Sequence, residues 1–163
     1  MKLHINDANI LIDIVQLNLV EAFLALDNEM YTTDFVFEEL EYFQKKVLIS
    51  EKLIILKTNE NELLHILELT SQHNGLSFED CSVWYYAQKM DGILITGDGG
   101  LRTKAKASGI EVRGIIYIIE EIKNQNILEK LICVEKLEAL KTLNNRLPVA
   151  EINKRIQLWK TEL

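Results

Sequence analysis

Short runs rich in Val, Ile and Leu alternate with longer segments of helical periodicity along the whole 163-residue chain, and no other feature constrains the fold as strongly. Such runs occupy residues 2–6, 30–33, 53–57, 92–96 and 110–113, and a helix-compatible stretch follows each one. The repeating unit is therefore βα. Strands this short and this apolar are stable when both faces are covered, which is the situation of a parallel sheet with helices packed on it. The expectation is an α/β fold of three layers, with a central parallel sheet of about five strands flanked by helices.

Helix starts can be read with similar economy. Thr33 or Asp34 can cap a helix carrying Glu39, Asn59 with Glu62 has capping-box spacing, and Ser77 can cap a helix carrying Asp80. Near the C-terminus two helical segments, roughly 128–143 and 148–161, are separated by Asn144-Asn145 and by Pro148, the one proline of the chain. In the second segment Val149, Ile152, Ile156, Trp159 and Leu163 recur at helical spacing as one apolar stripe. The length fits one globular body, read as a core domain over residues 1–125 and a C-terminal helical extension, 126–163, packed on the same domain.

Composition excludes several classes. A net charge of −7 argues against a broad, non-specific nucleic-acid binder. The charge is uneven, however: residues 123–163 hold five acids against eight bases, and Arg102, Lys104, Lys106 and Arg113 form a local basic group. Cys81 and Cys133 are isolated from each other and are expected as buried free thiols, and His4, His65 and His73 have no spacing that would place two on one face. No apolar run approaches the ~20 residues that span a bilayer. The chain also opens at once on strand-like residues, so a cytoplasmic protein without membrane association is expected. The glycines around Asp98 lack the Lys-Ser/Thr end of a phosphate-binding loop and the spacing of a dinucleotide fingerprint.

The acids carry the chemistry. Asp7 ends the first strand, Glu39 lies in Val36-Phe37-Glu38-Glu39-Leu40, Asp80 follows Leu76-Ser77-Phe78-Glu79, and Asp98 sits in Gly97-Asp98-Gly99-Gly100 after the strand Ile93-Leu94-Ile95-Thr96. Taken singly, each has an ordinary reading. Asp7 suits a helix cap, Asp98 a turn, Asp80 a reciprocal cap, and Glu39 a solvated helix face. Together they lie where an open α/β sheet places its crevice, beyond the carboxyl ends of the strands. Four carboxylates gathered there suit Mg²⁺ or Mn²⁺, which prefer oxygen ligands.

In these residues and their order the chain resembles the PIN-domain ribonucleases, and most closely the VapC-like toxins of toxin-antitoxin pairs. The resemblance covers roughly residues 1–122 and includes Leu101-Arg102, Ala105, Gly109-Ile110 and Val112-Arg113-Gly114, which are similar to a PIN subgroup described as predicted nucleic-acid-binding proteins. It implies a PIN-like fold in which Asp7, Glu39, Asp80 and Asp98 are the catalytic and metal-binding acids. Asn9 would take the family's small polar position and Thr96 its hydroxyl position. Arg102, Lys104 and Lys106 would hold the RNA backbone. The implied activity is Mg²⁺- or Mn²⁺-dependent endoribonucleolytic cleavage through a metal-activated water, as the toxin of a type II toxin-antitoxin system. The implied partners are RNA, an antitoxin protein and a second copy in a homodimer. Gly99, Gly100 and Leu101 stand where many catalytic relatives carry a further acid, which motivates an alternative: a weak or inactive PIN domain that binds RNA or protein. A phosphatase of the haloacid dehalogenase type would need a second Asp where Asn9 stands.

Overall fold

A computed structural model describes residues 2–162. Among these residues five strands form one sheet: β1 (Leu3–Asn6), β2 (Glu29–Thr33), β3 (Leu53–Leu56), β4 (Ile93–Ile95) and β5 (Val112–Arg113), in the order β3-β2-β1-β4-β5. Every pairing is parallel. Helices flank the sheet, as the alternation of apolar runs and helical segments requires. Ile5, Leu94 and Ile95 are buried in its centre.

The order of strands positions the site. The chain builds outward from β1 through β2 to β3, then returns to lay β4 on the other side of β1. The direction of winding thus reverses between β1 and β4, where an open α/β sheet leaves its crevice. Asn6 of β1 lies opposite Ile95 of β4, and the Asp7 amide donates to the Ile95 carbonyl at 2.9 Å. The residues following these two strands therefore emerge side by side.

Caps explain where the helices begin. Thr33, with its side chain accepting from the Val36 amide at 3.1 Å, caps α3 (Asp34–Glu39). Asp34 is free for another task and accepts from both the amide and the hydroxyl of Thr58, tying the exit of β3 to α3. Asn59 and Glu62 form a reciprocal box at the start of α5 (Glu60–Gln72), and Ser77 and Asp80 form another at the start of α6 (Phe78–Lys89). α6 lies against β1, β2 and β4. Its buried residues include Cys81, Trp84 and Ala87.

After β5, α8 (Ile115–Asn124) packs against α9 (Lys130–Leu143), and α9 against α10 (Val149–Thr161). Ile152, Ile156 and Trp159 are buried in the common core, with the Lys123 ammonium 4.9 Å from the centre of the Trp159 ring. Val149, the first residue of α10, stays exposed and departs from the stripe read in the sequence. Leu163 lies outside the described residues. Lys136 donates to the carbonyl of Leu17 at 2.8 Å, joining α9 to the end of α1 (Ala8–Gln16). Both cysteines are buried and unpaired. Among the described residues no helix is long and apolar enough to cross a membrane. His4 is fully buried in β1, its pKa lowered to about 4 by burial first and the Lys2 charge second.

Candidate active site

Asp7 is the N-cap of α1, and its carboxylate is buried. One oxygen, Oδ1, accepts from the Ala8 amide at 2.8 Å, and the other, Oδ2, accepts from the Thr96 hydroxyl at 2.7 Å. The Thr96 oxygen in turn accepts from the Asp98 amide at 3.1 Å. Asp98 caps α7 (Gly99–Ala107), its Oδ1 accepting from the Leu101 amide at 2.9 Å. A chain of hydrogen bonds thus links the end of β1 to the loop after β4. The pairing of those strands, which brings Thr96 beside Asp7, is its cause.

Asp80 approaches from α6, half-buried, with Oδ2 accepting from the Ser77 amide at 2.9 Å. Glu39 ends α3 and is exposed. Proton affinities show that these acids sense one another. Burial pushes Asp7 up to about 6 against the pull of its two hydrogen bonds, and the charges of Asp80 and Asp98 push in the same direction as burial. Asp80 is raised by burial first, with Asp98 and Glu79 adding to it. Glu39 is raised by desolvation, then by Glu79 and Asp80. Fixed negative charges in one partly dry crevice favour protonation because each disfavours ionisation of the next.

The cap readings hold for Asp7, Asp80 and Asp98. Capping uses part of each carboxylate. Oδ1 of Asp80, Oδ2 of Asp98 and both oxygens of Glu39 have no hydrogen-bond partner among the described residues. The donors are all oxygen, which fits Mg²⁺ or Mn²⁺ in chemistry. In position the fit is incomplete: among the described residues no three His, Cys, Asp or Glu side chains stand close enough to hold a metal ion between them.

The polar residues divide. Asn9 faces a cavity of about 340 Å³ shared with Asp13, Gly97 and the turn after α9. Arg102 donates to the Thr96 carbonyl at 3.0 Å and also lines a groove of about 400 Å³ with Lys106. Lys104 instead donates to the Asn74 carbonyl at 2.8 Å and is not on that groove. Sequence reasoning passed over Glu79, which acts on Glu39 and Asp80, and Asp13, whose proton affinity burial raises. The signal for Asp13 was present in its spacing: it lies four residues after Asn9, on the same face of α1.

Comparison with known proteins places the chain in a family. A family model described as DUF3368, a PIN domain, matches residues 3–161. The chain belongs to the PIN-domain family. Within it, the chain is 33% identical over 113 residues to "Endoribonuclease Nob1" of Methanocaldococcus jannaschii, an alignment covering 66% of this chain and 55% of that protein. The chain thus spans about half the length of the curated relative it matches. Among solved structures, a chain of VapBC-1 from nontypeable Haemophilus influenzae aligns at a TM-score of 0.49 and 16% identity, covering 69% of this PIN domain and 98% of that chain.

Proposed function

We propose that this PIN domain is a Mg²⁺- or Mn²⁺-dependent endoribonuclease that hydrolyses RNA phosphodiester bonds at the crevice beyond β1 and β4. One observation carries the reading: the Asp7 carboxylate is buried beside further acids and pushed up to about 6, a condition that a bound cation would reverse. Family membership and the similarity to an endoribonuclease support it from a separate direction.

In this reading Asp7 and Asp98 would hold the cation, with Asp80 and Glu39 assisting. The bound cation supplies neutralisation of charge on the scissile phosphate and a lowered pKa for the attacking water. Thr96 holds the Asp7 carboxylate in one orientation through Oδ2, and the cap on Leu101 fixes Asp98. Asp80, held at Oδ2 by Ser77, would orient the attacking water through Oδ1. As the water oxygen bonds to phosphorus and its proton passes to a carboxylate oxygen of Glu39, the P–O bond to the leaving ribose oxygen breaks and that oxygen takes a proton from solvent. Asn9 contacts the substrate, Lys106 holds a flanking phosphate, and Arg102 positions the β4 end by binding the Thr96 carbonyl. Residues 1–125 form the catalytic unit and 126–163 its helical extension.

The test is incubation of the pure protein with total RNA from its own source, with Mg²⁺ or Mn²⁺, beside the Asp98→Asn variant. Asn is as good a cap as Asp, so the variant keeps the fold. New metal-dependent RNA ends from the parent, reduced at least about a hundredfold in the variant, are the expected result. A second reading has its own motive, since Gly99, Gly100 and Leu101 supply no further acid and the carboxylates do not converge as they stand. In that reading the domain holds RNA or protein without cutting. Absence of metal-dependent ends from a folded sample would select it.

The biological setting we propose is a cytoplasmic toxin of a type II toxin-antitoxin pair, working as a homodimer and restrained by a small antitoxin. Exposed Tyr42, Phe43 and Val47 on α4 (Tyr42–Leu48), with Ile49 after it and Ile54 on the edge strand β3, support self-association. Light scattering on the complex purified from its own source tests both partners. A mass of two copies supports the dimer, additional mass from a small bound chain supports the antitoxin, and a bare monomer removes both.

A further inference from the structure

The groove of about 400 Å³ begins at Gly97 and Gly99, on either side of Asp98, and runs over the start of α8 to the turn between α9 and α10. Its lining gathers Arg102, Lys106, Arg113, Arg146 and Arg155 against a single acid, Glu151. That concentration is notable in a chain whose net charge is −7. The groove is not a neutral hollow beside an acidic site.

The bases differ in how far they are already engaged. Arg155 is committed to Glu120 at 2.9 Å and Glu151 at 2.7 Å, and Arg102 to the Thr96 carbonyl. Arg113 has one weak exposed partner, Glu111 at 3.3 Å, and its guanidinium lies 5.6 Å from the centre of the Tyr117 ring, which also lines the groove. Lys106 and Arg146 are exposed and have no ion pair among the described residues. The second cavity, of about 340 Å³, meets the first at Gly97, Ile115, Arg146 and Leu147. The turn at 144–148 therefore stands as a ridge between two hollows that both reach the Asp98 loop.

We infer that this turn is part of the substrate surface: Arg146, with Lys106 and Arg113, holds the phosphates of a single RNA strand flanking the scissile bond. The inference rests on the nuclease reading and extends it to residues of the C-terminal extension. Lys106, Arg113 and Arg146 spread positive charge along a groove that reaches the Asp98 loop, and a nucleic-acid strand, with a negative charge on every phosphate, complements it. Arg113 beside the Tyr117 ring adds a surface on which an unpaired base can stack, which favours a single strand over a duplex. The α9–α10 hairpin thus has a second task beyond closing the core.

The experiment measures binding of a labelled single-stranded RNA of mixed sequence to the full-length Asp98→Asn protein across a range of salt, so that cutting does not interfere. Into it are placed Arg146→Ala, the pair Lys106→Ala with Arg113→Ala, and, as a control off the groove, Lys46→Ala. The Arg146 side chain has no hydrogen bond among the described residues, so its removal leaves folding intact, as circular dichroism would verify. Arg146→Ala should weaken binding about tenfold and reduce the slope of log affinity against log salt by about 0.7, the value for one contact on a single strand. The double variant should lower the slope by about twice that amount, while the Lys46 control leaves it unchanged. Unchanged binding in the groove variants, or an equal loss in the control, would overturn the inference while leaving a cleaving parent enzyme intact. Failure of the parent both to bind and to cut RNA would overturn it together with the nuclease reading.

Discussion

At neutral pH, Asp7→Asn is expected to unfold at a higher temperature than the parent chain and to lose RNA cleavage. The reason is the cost of keeping a buried carboxylate ionised beside Asp80 and Asp98. Asp7 rises from 3.8 to about 6 on folding, which corresponds to about 3 kcal/mol of destabilisation once the group is charged in both states. Asn is neutral and avoids that cost. Its amide cannot accept at both positions, though, so either the Ala8 amide or the Thr96 hydroxyl loses its acceptor, a loss of about 1–2 kcal/mol. The net gain is about 1–2 kcal/mol, or a few degrees in a domain of this size.

The sign with pH follows from the raised value. Below 3.8 both folded and unfolded Asp7 are protonated and exact no penalty. Between 3.8 and about 6 the unfolded chain releases its proton first, so the parent loses stability as pH rises, and above about 6 the penalty is complete. The advantage of Asp7→Asn should grow over that window. His4 acts in the opposite sense: lowered to about 4 and neutral when folded, it costs the parent stability as pH falls from 6.5 toward 4. Only the difference between variant and parent isolates Asp7. Thermal unfolding at several pH values, with and without Mg²⁺, supplies it. Mg²⁺ should raise the parent's midpoint more than the variant's and narrow the gap, because a cation bound to the folded state stabilises it by mass action. A variant that is less stable than the parent at every pH would mean that the crevice does not penalise the charge.

Trp159→Ala should cost about 3–5 kcal/mol, the range for removing a buried aromatic side chain. Trp159 is 1% exposed, shares the common core with Ile152 and Ile156, and lies under the Lys123 ammonium. Against a typical domain stability of about 5–15 kcal/mol, such a loss would take much of the reserve. Removing residues 146–163 takes away all three buried side chains of α10 at once and should unfold the domain. Urea unfolding followed by circular dichroism measures both changes. A truncated chain that stays soluble with an unchanged midpoint would identify α10 as an accessory laid on a core that is complete without it.

Much of this architecture could be read from residue order. The apolar runs place all five strands to within a few residues, because period and length separate buried strands from amphipathic helices. The Asn59–Glu62 and Ser77–Asp80 boxes were readable for a local reason: both partners lie in one helical turn. Asp7 and Asp98 follow strand ends, and an open α/β sheet has its crevice beyond them. Whether Thr33 or Asp34 caps α3 was not readable, since the choice depends on Thr58, more than twenty residues away, which takes up Asp34. Lys104 stands beside Arg102 and Lys106 in the sequence, yet the Asn74 carbonyl holds it off the groove.

What the sequence by itself determined is where the strands run and where the capped helices begin, because hydrophobic period and capping chemistry act between residues a few positions apart. Which elements become neighbours was decided only by the tertiary structure. The reversal of winding between β1 and β4 sets Thr96 against Asp7 and lets Asp80 and Asp98 raise its proton affinity. Packing of α9 on α8 carries Arg146 to the groove of Lys106 and Arg113. Those effects arise from Coulomb forces and desolvation between side chains distant in sequence, whose strength depends on separation and burial in space.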